Sequence, residues 1–200
     1  QTFEKVKQVG AILKICSAIC EYNPLHLGHL RHLNYIKQNL RPDLTAVIMS
    51  GNFTQRGEGA VLDKYTRAIH AIKAGADIVI EAVVEIEDVK RDLFRRLSDI
   101  LPESTIIATN SSVMVSSLFA DCMEDPSRLC NMHFYNPALV MKFVEVVQGP
   151  HTSEETAGAV FKLAKRMGKM PIWQKKEIAG FAGNYLVAGL SARAKYLVQN

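Results

Sequence analysis

His26-Leu27-Gly28-His29 sets two imidazoles on either side of a glycine, directly after the apolar run Ile12–Cys20. The stretch Gly28–Leu40 that follows has helical spacing, so the order is strand, tight turn, helix start. Between them, Glu21-Tyr22-Asn23-Pro24 continues neither element. Gly28 lets a backbone approach a phosphate closely, and a helix N-terminus favours an anion. His26 and His29 would donate hydrogen bonds to a phosphoryl group as it gains charge, which is the chemistry of nucleotidyl transfer. A second polar loop, Ser50-Gly51-Asn52-Phe53-Thr54-Gln55-Arg56-Gly57-Glu58, follows the apolar run Leu44–Met49. Gly51 and Gly57 free its backbone, and Asn52, Gln55 and Arg56 offer donors to a phosphate or a base.

These groups need a frame, and apolar β-rich runs alternate with helical patterns along the whole chain. Strands are expected near Ile12–Cys20, Leu44–Met49, Asp77–Val84, Thr105–Thr109, Leu129–Phe134, Lys142–Val147 and Met170–Gln174. Helices are expected near Gly28–Leu40, Asp63–Ala74, Glu87–Leu101, Ser116–Asp121, Ser153–Met167 and Gly180–Val198. Asp63 and Ser153 suit N-caps, and Gly168 suits a C-terminal stop. Such alternation predicts an α/β fold: a doubly wound, Rossmann-like, mainly parallel sheet. Ligands then bind at the C-terminal ends of strands, near the switch in strand order.

The bulk numbers fit that frame. A chain of 200 residues that is 48% hydrophobic can bury one core. No apolar run is long enough to span a bilayer and no signal peptide precedes the first strand, so neither a membrane nor secretion is expected. Cys16, Cys20, Cys122 and Cys130 form no Cys-x-x-Cys pair; they read as free thiols in a reducing cytoplasm, and no metal site is expected. A net charge of +4 permits a phosphorylated ligand without marking a nucleic-acid binder.

Glu21–Leu30, Met49–Glu58, Asp63-Lys64 and Ala74-Gly75-Ala76-Asp77 together resemble the start of the tRNA-Met cytidine acetate ligase family, over about Leu13 to Glu81. The family activates acetate with ATP and acetylates an anticodon cytidine. The resemblance implies ATP as ligand, with His26, Gly28 and His29 at its phosphates and Gly51 and Asn52 in the same cleft. Its members are about twice this long, so tRNA is not an expected partner.

From about Ala76 onward the wording is similar to the 3-hydroxyacyl-CoA dehydrogenase family. The residues that carry this are Ile78–Glu85 with Lys90, Ala108–Ser112, Met132–Pro137, Val140–Val147 and Gly180–Asn184. The resemblance implies NAD as cofactor and an acyl-CoA substrate. A secondary alcohol would lose its proton to His133, whose imidazole suits a base near neutral pH, while its carbon gives a hydride to the nicotinamide. Glu145 would orient that imidazole, and Ser112 and Asn184 would hold the substrate oxygen. Glu85, Lys90 and Asn136 match positions that contact the cofactor.

The Gly-x-Gly-x-x-Gly loop of that family is absent, and Ala11-Ile12-Leu13-Lys14 stands where it would follow the leader 2–10. Weakened NAD binding and impaired turnover are expected. The chain thus reads as a composite: a Rossmann-like unit over 1–180, nucleotidyltransferase-like over 13–81 and dehydrogenase-like over 76–180, then the first helix of a helical domain over 181–200. Three functions follow as alternatives: an impaired dehydrogenase, an adenine-nucleotide-binding domain, or a chimera without activity. Exposed Phe181, Leu186, Val187 and Leu190 would favour a homo-oligomer.

Overall fold

A computed structural model describes residues 14–48, 59–138 and 140–199. Among these residues seven strands form one sheet: β1 (Ile15–Ile19), β2 (Leu44–Ile48), β3 (Ile78–Glu81), β4 (Ile106–Thr109), β5 (Leu129–Phe134), β6 (Phe143–Val147) and β7 (Met170–Gln174). Five α-helices connect or follow them: α1 (Leu27–Tyr35), α2 (Lys64–Lys73), α3 (Glu87–Ile100), α4 (Glu154–Arg166) and α5 (Phe181–Gln199). The α/β, mainly parallel, Rossmann-like sheet expected from the sequence is present.

The strands lie in sequence order, β1 to β7, without a reversal. Pairing is parallel from β1 to β5 and from β6 to β7, and antiparallel only between β5 and β6. Right-handed crossovers between parallel strands laid in one direction put every connecting helix on the same face. Accordingly Leu33, Ile72, Leu93, Phe94, Leu97 and Phe119 pack together on one side. β6 and β7 run the other way, so the same handedness sends α4 to the opposite face. There Ala157, Val160, Leu163 and Ala164 cover Cys130, Met132, Val144 and Val146. The layers therefore change sides at β5–β6.

Local chemistry sets the element ends. Ser153 caps α4 by accepting from Thr156 N (3.0 Å), and Asp63 accepts from Thr66 N (3.0 Å) at the start of α2. Gly168, at φ 73°, stops α4 as expected. β3 is shorter than the sequence suggested because the Glu81 carboxylate itself takes the Val83 N–H (2.5 Å), turning the chain out of the ladder. The helix expected at Ser116–Asp121 is a 3-10 turn, Ser116–Cys122. α1 widens into a π-helical turn, Ile36–Leu40, closed by Arg41 at φ 44°. No disulfide joins the four cysteines. Among the described residues no helix is long and apolar enough to cross a membrane.

Phe181 departs from expectation. It is fully buried, whereas Leu186, Val187 and Leu190 of the same helix are exposed. Its ring is drawn inward by the site described next.

Candidate functional site

β5 and β6 meet antiparallel with His133 directly opposite Glu145. Opposed residues point to the same face, so register alone brings the two side chains together. His133 Nδ1 lies 3.0 Å from Glu145 Oε2, and both residues are buried, 3% and 0% exposed. A carboxylate only accepts, so the proton sits on Nδ1 and the Nε2 lone pair is left as the base. Two further donors hold the carboxylate. Tyr135 O–H donates to Oε2 (2.8 Å) and Gly183 N–H donates to Oε1 (2.8 Å). Burial, then the hydrogen bond to Glu145, pushes the Tyr135 phenol well above its ordinary range, so it remains a donor.

The first turn of α5 closes the cluster. Phe181 packs its ring 5.3 Å from that of His133, Gly183 reaches Glu145, and Asn184 Nδ2 donates to the Ser112 carbonyl (3.0 Å). A side chain at Gly183 would collide with Tyr135 Oη, which is why glycine stands there. Ser112 N–H in turn donates to Glu85 Oε1 (3.1 Å), and Ser111 Oγ donates to Glu85 Oε2 (2.8 Å). Ser112, His133, Glu145 and Asn184 are thus brought into one constellation, with Glu85 at its border.

Lys90 sits differently from its expected place at a ligand surface. Its ammonium is fully buried and bonded to both Glu81 oxygens (2.9 and 3.0 Å), with Glu85 Oε1 at 3.9 Å. Thr109 Oγ1 completes the Glu81 shell (2.6 Å). Lys90 is therefore spent on the buried Glu81 carboxylate and presents no group at the surface. Asn136 is exposed in the turn after β5. Sequence reasoning missed Tyr135, Gly183 and Glu81. Tyr135 carried a usable signal, since residues two apart on a strand share a face.

The histidine turn lies elsewhere. It follows β1, four strand spacings from β5, which is about 19 Å across the sheet. His26 Nδ1 accepts from Gly28 N (3.1 Å), and His29 Nδ1 accepts from His26 N (3.3 Å), a reciprocal cap of α1. The rings stack with centroids 3.8 Å apart. A Cβ at Gly28 would sit 3.0 Å from His26 Cε1, so the glycine makes room for this folded-back ring. Both neutral rings thereby carry their proton on Nε2. Burial, then the charges of His26 and His32, lowers the pKa of His29. Gly51 and Asn52 lie outside the described residues.

The molecule is a Rossmann-like α/β domain with a carboxylate-oriented histidine at its β5–β6 seam. Residues 29–178 match the profile of the 3-hydroxyacyl-CoA dehydrogenase NAD binding domain. The chain belongs to this family, and NAD is the cofactor of that domain. Among solved structures, it is similar to a diketoreductase at 27% identity and a TM-score of 0.63, covering 92% of this chain and 64% of that one. It is also similar to (S)-3-hydroxybutyryl-CoA dehydrogenase PaaH1 from Ralstonia eutropha at 28% identity and a TM-score of 0.56, covering 80% of this chain and 53% of that one. A shorter match, to Thermotoga maritima TmcAL, has 49% identity over 34% of this chain and 16% of that one, with a TM-score of 0.33. The chain spans about 53–64% of the length of the diketoreductase and the PaaH1 structures.

The donor set at the strand ends fits the nicotinamide side of such a cofactor. Glu85 offers a partly exposed acceptor. Asn110 Oδ1 accepts from Phe134 N (2.9 Å), and its amide N–H groups make no hydrogen bond among the described residues. One acceptor and one donor complement a carboxamide.

Proposed function

We propose that this chain is the nucleotide-binding part of a dehydrogenase that interconverts a 3-hydroxyacyl-CoA and its 3-keto form. The buried His133–Glu145 pair, 3.0 Å apart with the proton fixed on Nδ1, carries the reading. The substrate hydroxyl gives its proton to His133 Nε2, and the imidazolium so formed is stabilised by the Glu145 carboxylate. What bound NAD supplies is a hydride acceptor for the same carbon. Ser112, whose hydroxyl makes no hydrogen bond among the described residues, and Asn184 hold the substrate oxygen in line with Nε2. Glu85 and Asn110 hold the carboxamide of the cofactor, with Asn136 at the outer edge of the cleft. With no Gly-x-Gly-x-x-Gly in the sequence, cofactor affinity and turnover are reduced relative to a dehydrogenase that has one.

The test is NADH oxidation by acetoacetyl-CoA, with His133→Gln as the control. Turnover that falls by about 10²-fold or more in the variant, at unchanged NADH affinity, supports the reading. Equal rates in both proteins overturn it.

A second reading is favoured by the capping geometry of α1. With both Nδ1 atoms spent on the helix N-terminus, two Nε2–H donors are left for the phosphates of an adenine nucleotide such as ATP. It keeps the composite reading of the chain, with which the unbroken parallel pairing β2–β3–β4 is compatible. A His26→Ala/His29→Ala double variant that keeps an ATP-dependent rise in melting temperature sinks it.

A further inference from the structure

α5 reaches the site along a strap, residues 175–180, that returns from the end of β7. Two of its residues, Glu177 and Gly180, tie the strap to the segment Val113–Ser117. Gly180 N–H donates to the Val113 carbonyl (3.3 Å). Glu177 Oε1 accepts from both Ser116 Oγ (2.6 Å) and Ser117 N (3.1 Å) at the start of the 3-10 turn. That turn is itself tied to β5, because Ser116 N–H donates to Asn131 Oδ1 (2.8 Å), two residues before His133 on the same strand face. Gly149 bounds the other side of the carboxylate. A Cβ there would lie 2.6 Å from Glu177 Oε1 and 3.0 Å from Ser116 Oγ. Beyond Glu177 the chain turns through Gly180 (φ 74°) and Phe181 (φ 56°). A phenylalanine in the left-handed region persists only where its surroundings hold it.

We propose that Glu177 is a positioning residue. By clamping the strap to Ser116 and Ser117 it sets the Phe181 ring and the Gly183 N–H against the His133–Glu145 pair, and Asn184 against Ser112. The proposal rests on reading that pair as the proton-transfer site. Glu177 touches neither member. Its effect passes through the first turn of α5, where loss of the Gly183 donor leaves Glu145 a poorer anchor for the imidazole. A carboxylate suits the task because both groups that face Oε1 are donors.

Amide hydrogen exchange at Gly183 tests the clamp without turnover, and acetoacetyl-CoA reduction tests its consequence. Glu177→Ala is expected to speed Gly183 exchange by about tenfold or more. It should lower kcat in parallel, with the Kd for NADH and the KM for acetoacetyl-CoA within about twofold of wild type. Glu177→Gln keeps an acceptor for both serine donors and should recover exchange and kcat to within about threefold. Ser116→Ala, which removes one of the two donors, should fall between and covers the case in which Glu177→Ala does not fold. Unchanged Gly183 exchange in Glu177→Ala and Ser116→Ala overturns the proposal, as does faster exchange with undiminished kcat. A wild-type protein that reduces no acetoacetyl-CoA would overturn the proposed reaction. Gly183 exchange would still decide whether Glu177 holds the strap.

Discussion

Glu145→Gln is the change that separates charge from shape at this site. The side chains are nearly isosteric, but an amide has one accepting and one donating end. Wild-type Glu145 accepts three hydrogen bonds, from His133 Nδ1 (3.0 Å) and Tyr135 Oη (2.8 Å) on one oxygen and from Gly183 N (2.8 Å) on the other. If the amide oxygen faces His133 and Tyr135, its N–H2 meets the Gly183 N–H and at least one buried donor is stranded, costing about 1–3 kcal/mol. If the oxygen faces Gly183, the N–H2 meets His133, which must accept at Nδ1 and carry its proton on Nε2. The base is then lost outright. Either arrangement lowers stability or catalysis, and the second lowers both. The comparable acid-to-amide change in the Ser-His-Asp triad costs about 10⁴ in kcat through the wrong tautomer. The expected result here is a loss of about 10²–10⁴ in acetoacetyl-CoA reduction and about 1–3 kcal/mol in urea unfolding, with NADH affinity retained. A Glu145→Gln protein with wild-type kcat and an unshifted urea midpoint would refute the orienting role assigned to the carboxylate.

Three further outcomes are expected. Gly183→Ala drives a methyl into Tyr135 Oη and to 3.3 Å from Phe143 Cε1, so its stability should fall by about 1–3 kcal/mol, with partial recovery on adding Tyr135→Phe; no loss in denaturant melts would count against the packing described. Lys90→Met leaves the Glu81 carboxylate buried with only the Thr109 hydroxyl and the Val83 N–H, which should cost about 3–5 kcal/mol, and Glu81→Gln/Lys90→Met should cost clearly less in the same assay. Burial, partly opposed by Glu177, holds the His151 pKa below its ordinary value, so the unfolded chain takes up that proton first as pH falls. The neutral ring's contribution is whole above pH about 6.5 and drains away below it, so melting temperature should fall more steeply towards acid in wild type than in His151→Gln. Parallel curves would dismiss His151 as the source.

The parts of this architecture that follow from period and punctuation were legible in the sequence. Strands β4 to β7 and helices α3 and α4 appear within a few residues of their expected bounds, because apolar periodicity and end signals such as Ser153 and Gly168 act locally. His133 and Glu145 were legible through the resemblance carried by Met132–Pro137 and Val140–Val147, whereas the antiparallel register that pairs them shows only in three dimensions. What the sequence concealed depends on three-dimensional neighbours. Gly183 serves through its backbone N–H and the space it leaves for Tyr135, neither of which a residue type announces. Lys90 looks like a surface cation of α3 until the helix packs on the end of β3 and Glu81 takes the ammonium inside. Phe181 reads as one apolar residue among many on α5, and only the turn through Gly180 carries its ring to His133. The strand order without a reversal was hidden likewise, since alternation of strands and helices fits several orders equally well.

Proton removal by His133 from a 3-hydroxyacyl substrate implies that the carbon bearing that hydroxyl exchanges a hydride with the cofactor. Run in reverse, the most direct measurement mixes acetoacetyl-CoA and protein with NADH deuterated at its transferring position, and reads the product by mass spectrometry. One deuterium on the C3 carbon of 3-hydroxybutyryl-CoA is expected with wild type, and about 10²-fold less labelled product in the same time with His133→Gln at equal NADH occupancy. Recovery of unlabelled acetoacetyl-CoA from wild type with NADH bound would contradict it.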